Sequence, residues 1–498
     1  MLVLLIFSVI ILLILYIKNK YFTLRDHILG LSPHFLFGNV IQSGFVYGRS
    51  RAQIFEEYKQ RYGDIFQFFF GPIRLIVVSN TTDIQHIFTH RNIYEQGYLF
   101  TEQFSVLFPS GFITLTGSKH KRHAAIAMPL FRRARIIDNF DLIVDCTDKL
   151  LSNWRITSSQ HIHCDIVAQC QNLLLQIFGL ISFDYDLEAL DQDNPSKNEL
   201  TKALHDFMSA CELVLVAPRI LGVMYTKLSR RHRRAKSIIT RYIYQMIDNE
   251  MTASEESRAQ RKRTCLIASL IASLQEDEEM EAKKSENEKK GLSRAEVLQE
   301  MLAFMIAGYE TTSTALAWFI HFMSKYPHVQ QKIKEELIKT GGEQDLTLNR
   351  LDSLVYLDCA INESLRYAPP ADGTMRTLIA DDRLPECGIE LHKGDNVFIP
   401  FYNLAHDERY WSIDPKLFYP ERFLNEDKNH HPYALIPFGS GHRQCIGQDL
   451  ARFELKVIIA RMMQQVTFID GGPTVNSGGH ITSMTILPKH VGVGIEFA

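Results

Sequence analysis

Residues 437–456, PFGSGHRQCIGQDLARFELK, set a lone cysteine, Cys445, among glycines at 439, 441 and 447 and an arginine at 443. Glycine lets a backbone turn through positive φ or come close to a flat ligand. The apolar spacing beyond Gly447 predicts a helix, so Cys445 stands just before a helix N-terminus, where amides favour an anion and stabilise a thiolate. Arg443 supplies a planar cation suited to carboxylates. A thiolate, room for a flat ring and a carboxylate-binding arginine together describe an axial iron ligand in a haem site. A structural cysteine in a glycine-rich turn is the plainer reading, and the surroundings outweigh it.

Three other stretches carry polar residues where apolar ones are expected. In FMIAGYETTSTALAW (304–318), Gly308, Glu310, Thr311 and Thr312 interrupt an apolar helix. A buried acid beside a hydroxyl is costly unless function uses it, and Thr can bond the carbonyl four residues back and open the helix locally. Glu310 and Thr311 are thus candidates to relay protons into a dry pocket. NESLR places Glu363 and Arg366 three apart, on one helix face, and YPERF (419–423) adds Arg422, which would complete a buried Glu–Arg–Arg network.

These residues need a scaffold. Ser293 and Glu296 form a capping-box pattern opening a helix over roughly 294–325, apolar on most sides and so expected in the middle of a large domain. Residues 50–340 have mostly helical spacing, broken by the β-like run IRLIVVS (73–79). Beyond 370 the texture shifts to Pro, Gly and short strands, and it closes with strand-like segments such as ITSMTIL (481–487). The mixed-charge run EDEEMEAKKSENEKK (276–290) reads as a solvated loop. The fold class is therefore mainly α with a minor β region.

The opening MLVLLIFSVIILLILYIKNK has an apolar run from Met1 to Ile17, then Lys18, Lys20 and Arg25. It lacks the basic start and small-residue cleavage site of a signal peptide and the polar face of a core helix. It is expected to be a single membrane-spanning anchor with the large domain cytosolic, because the basic residues follow the run. Residues 1–20 are then the anchor, 21–40 a linker that includes LGLSPHFLFGN, and 41–498 one catalytic domain. On that topology the sequons at Asn80 and Asn362 stay unglycosylated.

Composition narrows the class. The 498 residues carry a formal charge of −3, with no P-loop and no repeat, which gives no pointer to nucleic acid. Eight cysteines without paired spacing favour reduced thiols over a disulfide framework. HIHC (161–164) has no CxxC partner, and histidines two apart do not share a helix face, so zinc is disfavoured there.

The four motifs together resemble the cytochrome P-450 superfamily of haem-thiolate monooxygenases. The pattern Phe438-Gly439-x-Gly441-x-Arg443-x-Cys445-x-Gly447 is similar to its haem-ligand loop, and Ala307-Gly308-x-Glu310-Thr311 to its oxygen-activating helix. Glu363-x-x-Arg366 and Pro420-Glu421-Arg422-Phe423 resemble its paired charges and the segment completing them. The resemblance covers about the last 200 residues, and the anchor extends it to a microsomal type.

The resemblance implies the family fold, with a long helix over haem b. Cys445 would be the iron ligand, shielded by Phe438 and neighboured by Gly439 and Ala307, while Arg443 and Arg376 would bind propionates. Thr311 with Glu310 would handle protons, and Glu363, Arg366 and Arg422 would be structural. It also implies NADPH-derived electrons from a separate NADPH–cytochrome P-450 reductase, with cytochrome b5 as a second donor. A lipophilic small-molecule substrate and the endoplasmic reticulum membrane follow in the same way.

AGYETT is closest to the branch of xenobiotic and steroid oxidisers. One departure concerns an early helix: the family's Trp and Arg fall on His120 and Ala124, leaving His120, Lys121, Arg122 or His123 to substitute. The stretch LVLVAPRILGVMYTKL (213–228) is a candidate second membrane contact, and KHKR (119–122) with FRRAR (131–135) a candidate face for an acidic electron donor. Two rivals, a haem-thiolate isomerase or dehydratase and a non-catalytic haem sensor, both leave the acid–threonine pair unexplained.

Overall fold

In a computed structural model the chain divides into two units that interleave in sequence. Residues 1–98, 371–417 and 429–444 form the first, and residues 99–370, 418–428 and 445–498 the second. Every residue is described except 1, 157–160, 192–198, 217–218, 253, 255, 257–264, 275–277, 342–344, 483 and 498. Helix dominates and the strands are short, as the spacing predicts.

The first unit begins with helix α1 (Leu2–Tyr21). Its segment Leu4–Tyr21 has a mean hydropathy of 1.9 and no buried residue, so it has the length and composition of a membrane span. Helix α2 (Arg51–Tyr62) starts at a capping box of Ser50 and Gln53, and helix α3 (Thr81–Thr89) at Asn80. The Asn80 side chain accepts from the Asp83 amide at 2.8 Å and donates to the Asp83 carboxylate at 2.7 Å.

The unit's main sheet has strands β1 (Ile65–Phe70), β2 (Ile73–Val78), β3 (Tyr94–Gln96), β4 (Gly373–Leu378) and β5 (Asn396–Pro400), in the order β1-β2-β5-β4-β3. The β-like run 73–79 thus becomes β2. Only the β2–β5 pairing is parallel among these strands. Phe66 and Phe68 point to one side of β1, where α2 covers them with Phe55 edge-on and Tyr58 tilted. On the other side, buried Gln67 donates to the carbonyls of Arg25 and Ile28, at 2.8 and 2.5 Å. Asn39 binds the Leu31 carbonyl and the Phe69 amide, so much of segment 25–39 is stitched onto β1.

The second unit is built around five helices: α4 (Gly117–Ala127), α5 (Ile166–Phe183), α6 (Arg294–Lys325), α7 (Val355–Tyr367) and α8 (Gln448–Gln465). Helix α6 spans the predicted range, and its capping box of Ser293 and Glu296 is formed. It is buried along most of its length and packs on α5 so closely that a Cβ at Gly308 would come 2.2 Å from the Phe178 ring. Gly308 is therefore set by helix–helix approach.

Strands β6 (Val466–Asp470), β7 (Gly478–Thr482), β8 (Ile486–His490) and β9 (Val493–Phe497) follow α8, with β7–β8 a hairpin and β9 paired to β6. The strand-like run 481–487 does not continue straight. It bends near Thr485, whose side chain turns into α6 and bonds Thr314 at 2.9 Å, while Trp318 donates to the Ile486 carbonyl at 2.7 Å. The mixed-charge run contains one short helix, Glu278–Ala282, and its residues 276 and 277 lie outside those described. Within 213–228 the helix Arg219–Leu228 exposes Ile220, Leu221, Met224 and Leu228; residues 217 and 218 of that run also lie outside.

Candidate active site

Across residues 301–324, all of them described, Thr311 alone is exposed, with Ala307 and Gly308 half-buried beside it. An exposed hydroxyl in an otherwise buried stretch marks the stripe of α6 that no side chain of the described residues covers. Thr311 Oγ1 donates to the Ala307 carbonyl at 3.0 Å, and Thr312 to that of Gly308 at 3.3 Å, the back-bonding expected there. Glu310 is buried. Its carboxyl accepts from Gln171 Nε2 on α5 at 3.1 Å and contacts Thr485 Oγ1 at 3.2 Å. Sequence reasoning missed both partners, because each arrives from a distant element with no motif of its own.

Cys445 lies two residues before Gly447, the N-cap of α8, and is exposed. Protein crowding around the side chain pushes its thiol up, and a hydrogen bond from the Gly447 amide opposes that. The helix-terminus effect is present, but burial outweighs it. Gly439 and Gly441 both have φ near +70°, and at 441 a Cβ would come 2.5 Å from the Phe88 carbonyl. Gly447 has φ −88°, so it needs no positive φ; its absent side chain keeps the space beside Sγ, where a Cβ would sit 4.0 Å away. Phe438 is half-buried in the loop leading to Gly439.

In the first unit, Arg443 donates to Glu95 Oε1 through Nε at 3.1 Å and Nη2 at 2.7 Å. Arg376, on β4, is buried beside them; it donates to Thr374 Oγ1 and the Met375 carbonyl, each at 3.0 Å, and stacks over Phe88. Burial and the neighbouring Arg443 charge pull the Arg376 guanidinium down to about 10. Burial pushes Glu95 up, but the His442 ring 3.6 Å away and hydrogen bonds from the Gln96 amide and Arg443 hold it well below the usual carboxylate range. Among the described residues of this unit, two buried guanidiniums face one carboxylate, an excess of positive charge suited to an anion. Glu95 carried no signal in the sequence.

The structure brings Glu363, Arg366 and Arg422 together in the second unit, all fully buried. Arg366 grips Glu363 with two bonds of 2.8 and 2.9 Å, and Arg422 reaches it at 3.2 Å. The Tyr419 amide adds a 2.8 Å bond to Glu363, and Asp427, not foreseen, meets Arg422 at 3.1 Å. Two cations and two anions balance.

On α4 the structure separates the four substitutes. Arg122 donates to Glu296 at 2.6 and 3.1 Å, to Glu286 at 3.2 Å and to the Gly291 carbonyl at 2.6 Å. His123 is buried, with Nδ1 2.5 Å from Glu300 Oε1 and Nε2 3.4 Å from Glu296. Burial lowers His123, but the two carboxylates win and raise it. Both side chains are thus committed to the start of α6. Lys121 is exposed, Ala124 is half-buried, and His120 is half-buried against the Phe112 ring at 4.7 Å. Glu296 and Glu300, one helical turn apart on α6, receive this basic stretch.

The Cytochrome P450 family model matches residues 29–480. Cytochrome P450 monooxygenase 205 of Postia placenta is 25% identical over 473 residues, 88% of this chain and 84% of that protein. Cytochrome P450 3A17 of Cavia porcellus is 28% identical over 458 residues, with coverage of 88% and 85%. Cytochrome P450 4Z1 of Homo sapiens is 28% identical over 362 residues, with 70% and 68% covered.

Proposed function

The chain belongs to the cytochrome P450 family of monooxygenases, and from that premise we propose an enzyme of the endoplasmic reticulum membrane that inserts one atom of O2 into a lipophilic organic substrate. Electrons would come from NADPH through a separate reductase, with cytochrome b5 as a second donor. Helix α1 would anchor the chain, with Lys18 and Lys20 at its cytosolic end. The observation that carries the chemistry is the exposed Cys445 placed just ahead of the α8 N-terminus.

The residues present fit haem b. Cys445 would hold the iron, and the excess positive charge of Arg376 and Arg443 would meet the two propionates. Gly439, Phe438 and Ala307 would lie against the ring. When bound, the thiolate-ligated haem supplies oxygen activation, with electron density from sulfur favouring O–O cleavage. The protein's own part is proton control. The Thr311 hydroxyl spends its proton on the Ala307 carbonyl and keeps its lone pairs for a donor, so it orients protons at that spot without charge. Apolar Phe304, Ala307 and Ala315, each within one or two turns, limit water there and suit a lipophilic substrate.

The test is the reduced, carbon-monoxide-bound difference spectrum of the purified protein beside Cys445→Ser. A strongly red-shifted Soret band, lost in the variant, is expected. An ordinary haem band in the unmodified protein would overturn the assignment.

A further inference from the structure

Glu300 is buried on α6 where an irregular stretch of chain comes down on that helix. Residues 106–116 are neither helix nor strand, so their main-chain groups need partners from elsewhere. Gly111 lies so near α6 that a Cβ there would come 3.3 Å from Ala303 Cβ. Thr114 Oγ1 sits 2.8 Å from the carbonyls of both Phe108 and Gly111 and closes the turn. The Phe112 amide then donates to Glu300 Oε2 at 3.1 Å. The other oxygen, Oε1, is 2.5 Å from Nδ1 of the equally buried His123, whose Nε2 lies 3.4 Å from Glu296.

A buried acid–histidine contact is by itself weak evidence of stability, because an apolar pair of similar size often does as well. What this contact adds is a fixed acceptor. His123 sets the rotation of the Glu300 carboxyl, and Glu296 sets the His123 ring. Whichever atom of the 2.5 Å contact carries the proton, Oε2 still accepts from the Phe112 amide. The main-chain position of Phe112 is thus held by side chains of α4 and α6, whatever the ionisation of the pair.

That position matters at the uncovered stripe of α6. Glu300, Phe304, Ala307 and Thr311 recur at helical spacing on one face. The half-buried Phe112 ring lies 6.2 Å from the Phe304 ring, and Phe131 meets Phe304 at 5.6 Å. Phe112 and Phe304 therefore close the N-terminal end of the stripe with aromatic surface, which favours another ring in offset or edge contact.

We propose that the Glu300–His123 pair positions the chain for substrate selection: by pinning the Phe112 amide it holds the Phe112 ring at that end of the stripe, and so favours lipophilic substrates that carry an aromatic ring there. Phe112 meets the substrate, and Glu300 and His123 act only through it. The pin is independent of the monooxygenase reading; its use in substrate selection rests on that reading.

The experiment compares the haem-loaded full chain with Glu300→Gln, Glu300→Leu, Phe112→Leu and the double variant His123→Phe, Glu300→Met. Glutamine can accept from the Phe112 amide through its oxygen and donate to His123 through its nitrogen, so Glu300→Gln should keep the pin. Leucine can do neither. The double variant removes both members of the pair, leaves neither buried alone, and decides the matter if Glu300→Leu fails to fold. Hydrogen–deuterium exchange in peptides covering 108–114 should quicken roughly 10- to 100-fold in Glu300→Leu and the double variant, and stay in place in Glu300→Gln. Spectral titration with imidazole and with 4-phenylimidazole reads the ring, since both bind haem iron through the same kind of nitrogen. The preference for 4-phenylimidazole should fall roughly three- to tenfold in the double variant and in Phe112→Leu, with imidazole affinity unchanged. Unchanged exchange in the double variant would overturn the pin. A preference that stays put, or an equal loss of both ligands, would overturn the role in selection. A missing thiolate signature in the unmodified protein would instead strike the monooxygenase reading, and exchange would still decide the pin.

Discussion

Two clusters in this chain have the same ingredients, one glutamate and two arginines, but the glutamate is fully buried in one and half-buried in the other, and the proposed function gives them different work. Around Glu363 the arginines are Arg366 and Arg422, and Asp427 supplies a second anion. Around Glu95 they are Arg443 and Arg376, and Glu95 is the carboxylate the first unit gives them. The first cluster is balanced and saturated, with even a main-chain amide spent on it. The second keeps positive charge to spare, beside the edge strand β3 of its sheet. On the proposed reading, charge balance separates scaffold from binding site, since residue type does not.

The comparison breaks most sharply at Glu363. Glu363→Gln leaves two buried guanidiniums against one carboxylate, so unfolding free energy should drop by about 3–5 kcal/mol; denaturant titration of the purified variant reads this. If Arg376 binds a propionate as proposed, Arg376→Gln should spare the fold and weaken that hydrogen-bonded ion pair, worth about 1.5–3 kcal/mol. Haem transfer to an apo-globin acceptor should then quicken roughly 10- to 100-fold with little change in the urea midpoint. If the midpoint falls as far as in Glu363→Gln, the two clusters are not different in kind. Asp427→Asn turns the balanced cluster into a copy of the unbalanced one, and should cost about 1–3 kcal/mol in stability with haem retention unchanged.

The smallest effect sharpens the comparison from the other side. Glu454 on α8 is fully buried, one of its oxygens has no hydrogen-bond partner, and burial pushes it up to about 8. Its folded value lies above the unfolded 4.5, so the folded state holds the proton more tightly. Stability from this group is full below the unfolded value, falls as pH rises between the two, and is gone above about 8. Its greatest slope is about 1.4 kcal/mol per pH unit. Glu454→Gln should flatten that slope, gaining on the unmodified protein as pH rises from 5 to 8 in paired denaturation curves.

What could be read from the sequence follows a physical divide. Local rules reached α6, its capping box, β2, the helix start at Gly447 and the Glu363–Arg366 spacing, because each is set within a few residues. Glu95, Asp427, Gln171 and Thr485 were invisible because each acquires its role from a residue far along the chain. The early-helix departure shows both sides. The sequence exposed the loss of Trp and Arg at 120 and 124, but only packing shows that Arg122 and His123 are drawn to α6 instead. The bend in 481–487 was missed for a related reason: a tertiary bond from Thr485 overrides β-propensity.

The two sequons are spent on the fold. Asn80 is the cap of α3, its amide and carbonyl both held by Asp83, and Asn362 accepts from Arg452 at 2.7 Å. A chain threaded into the membrane the wrong way round would meet the glycosylating machinery while these side chains were still loose. A sugar on Asn80 would leave α3 without its cap, and one on Asn362 would sit beside the buried carboxylate of Glu363. If α1 spans the membrane as proposed, orientation and maturation are coupled: only the correctly threaded population would finish folding, and a glycosylated band on a gel would count the discarded fraction.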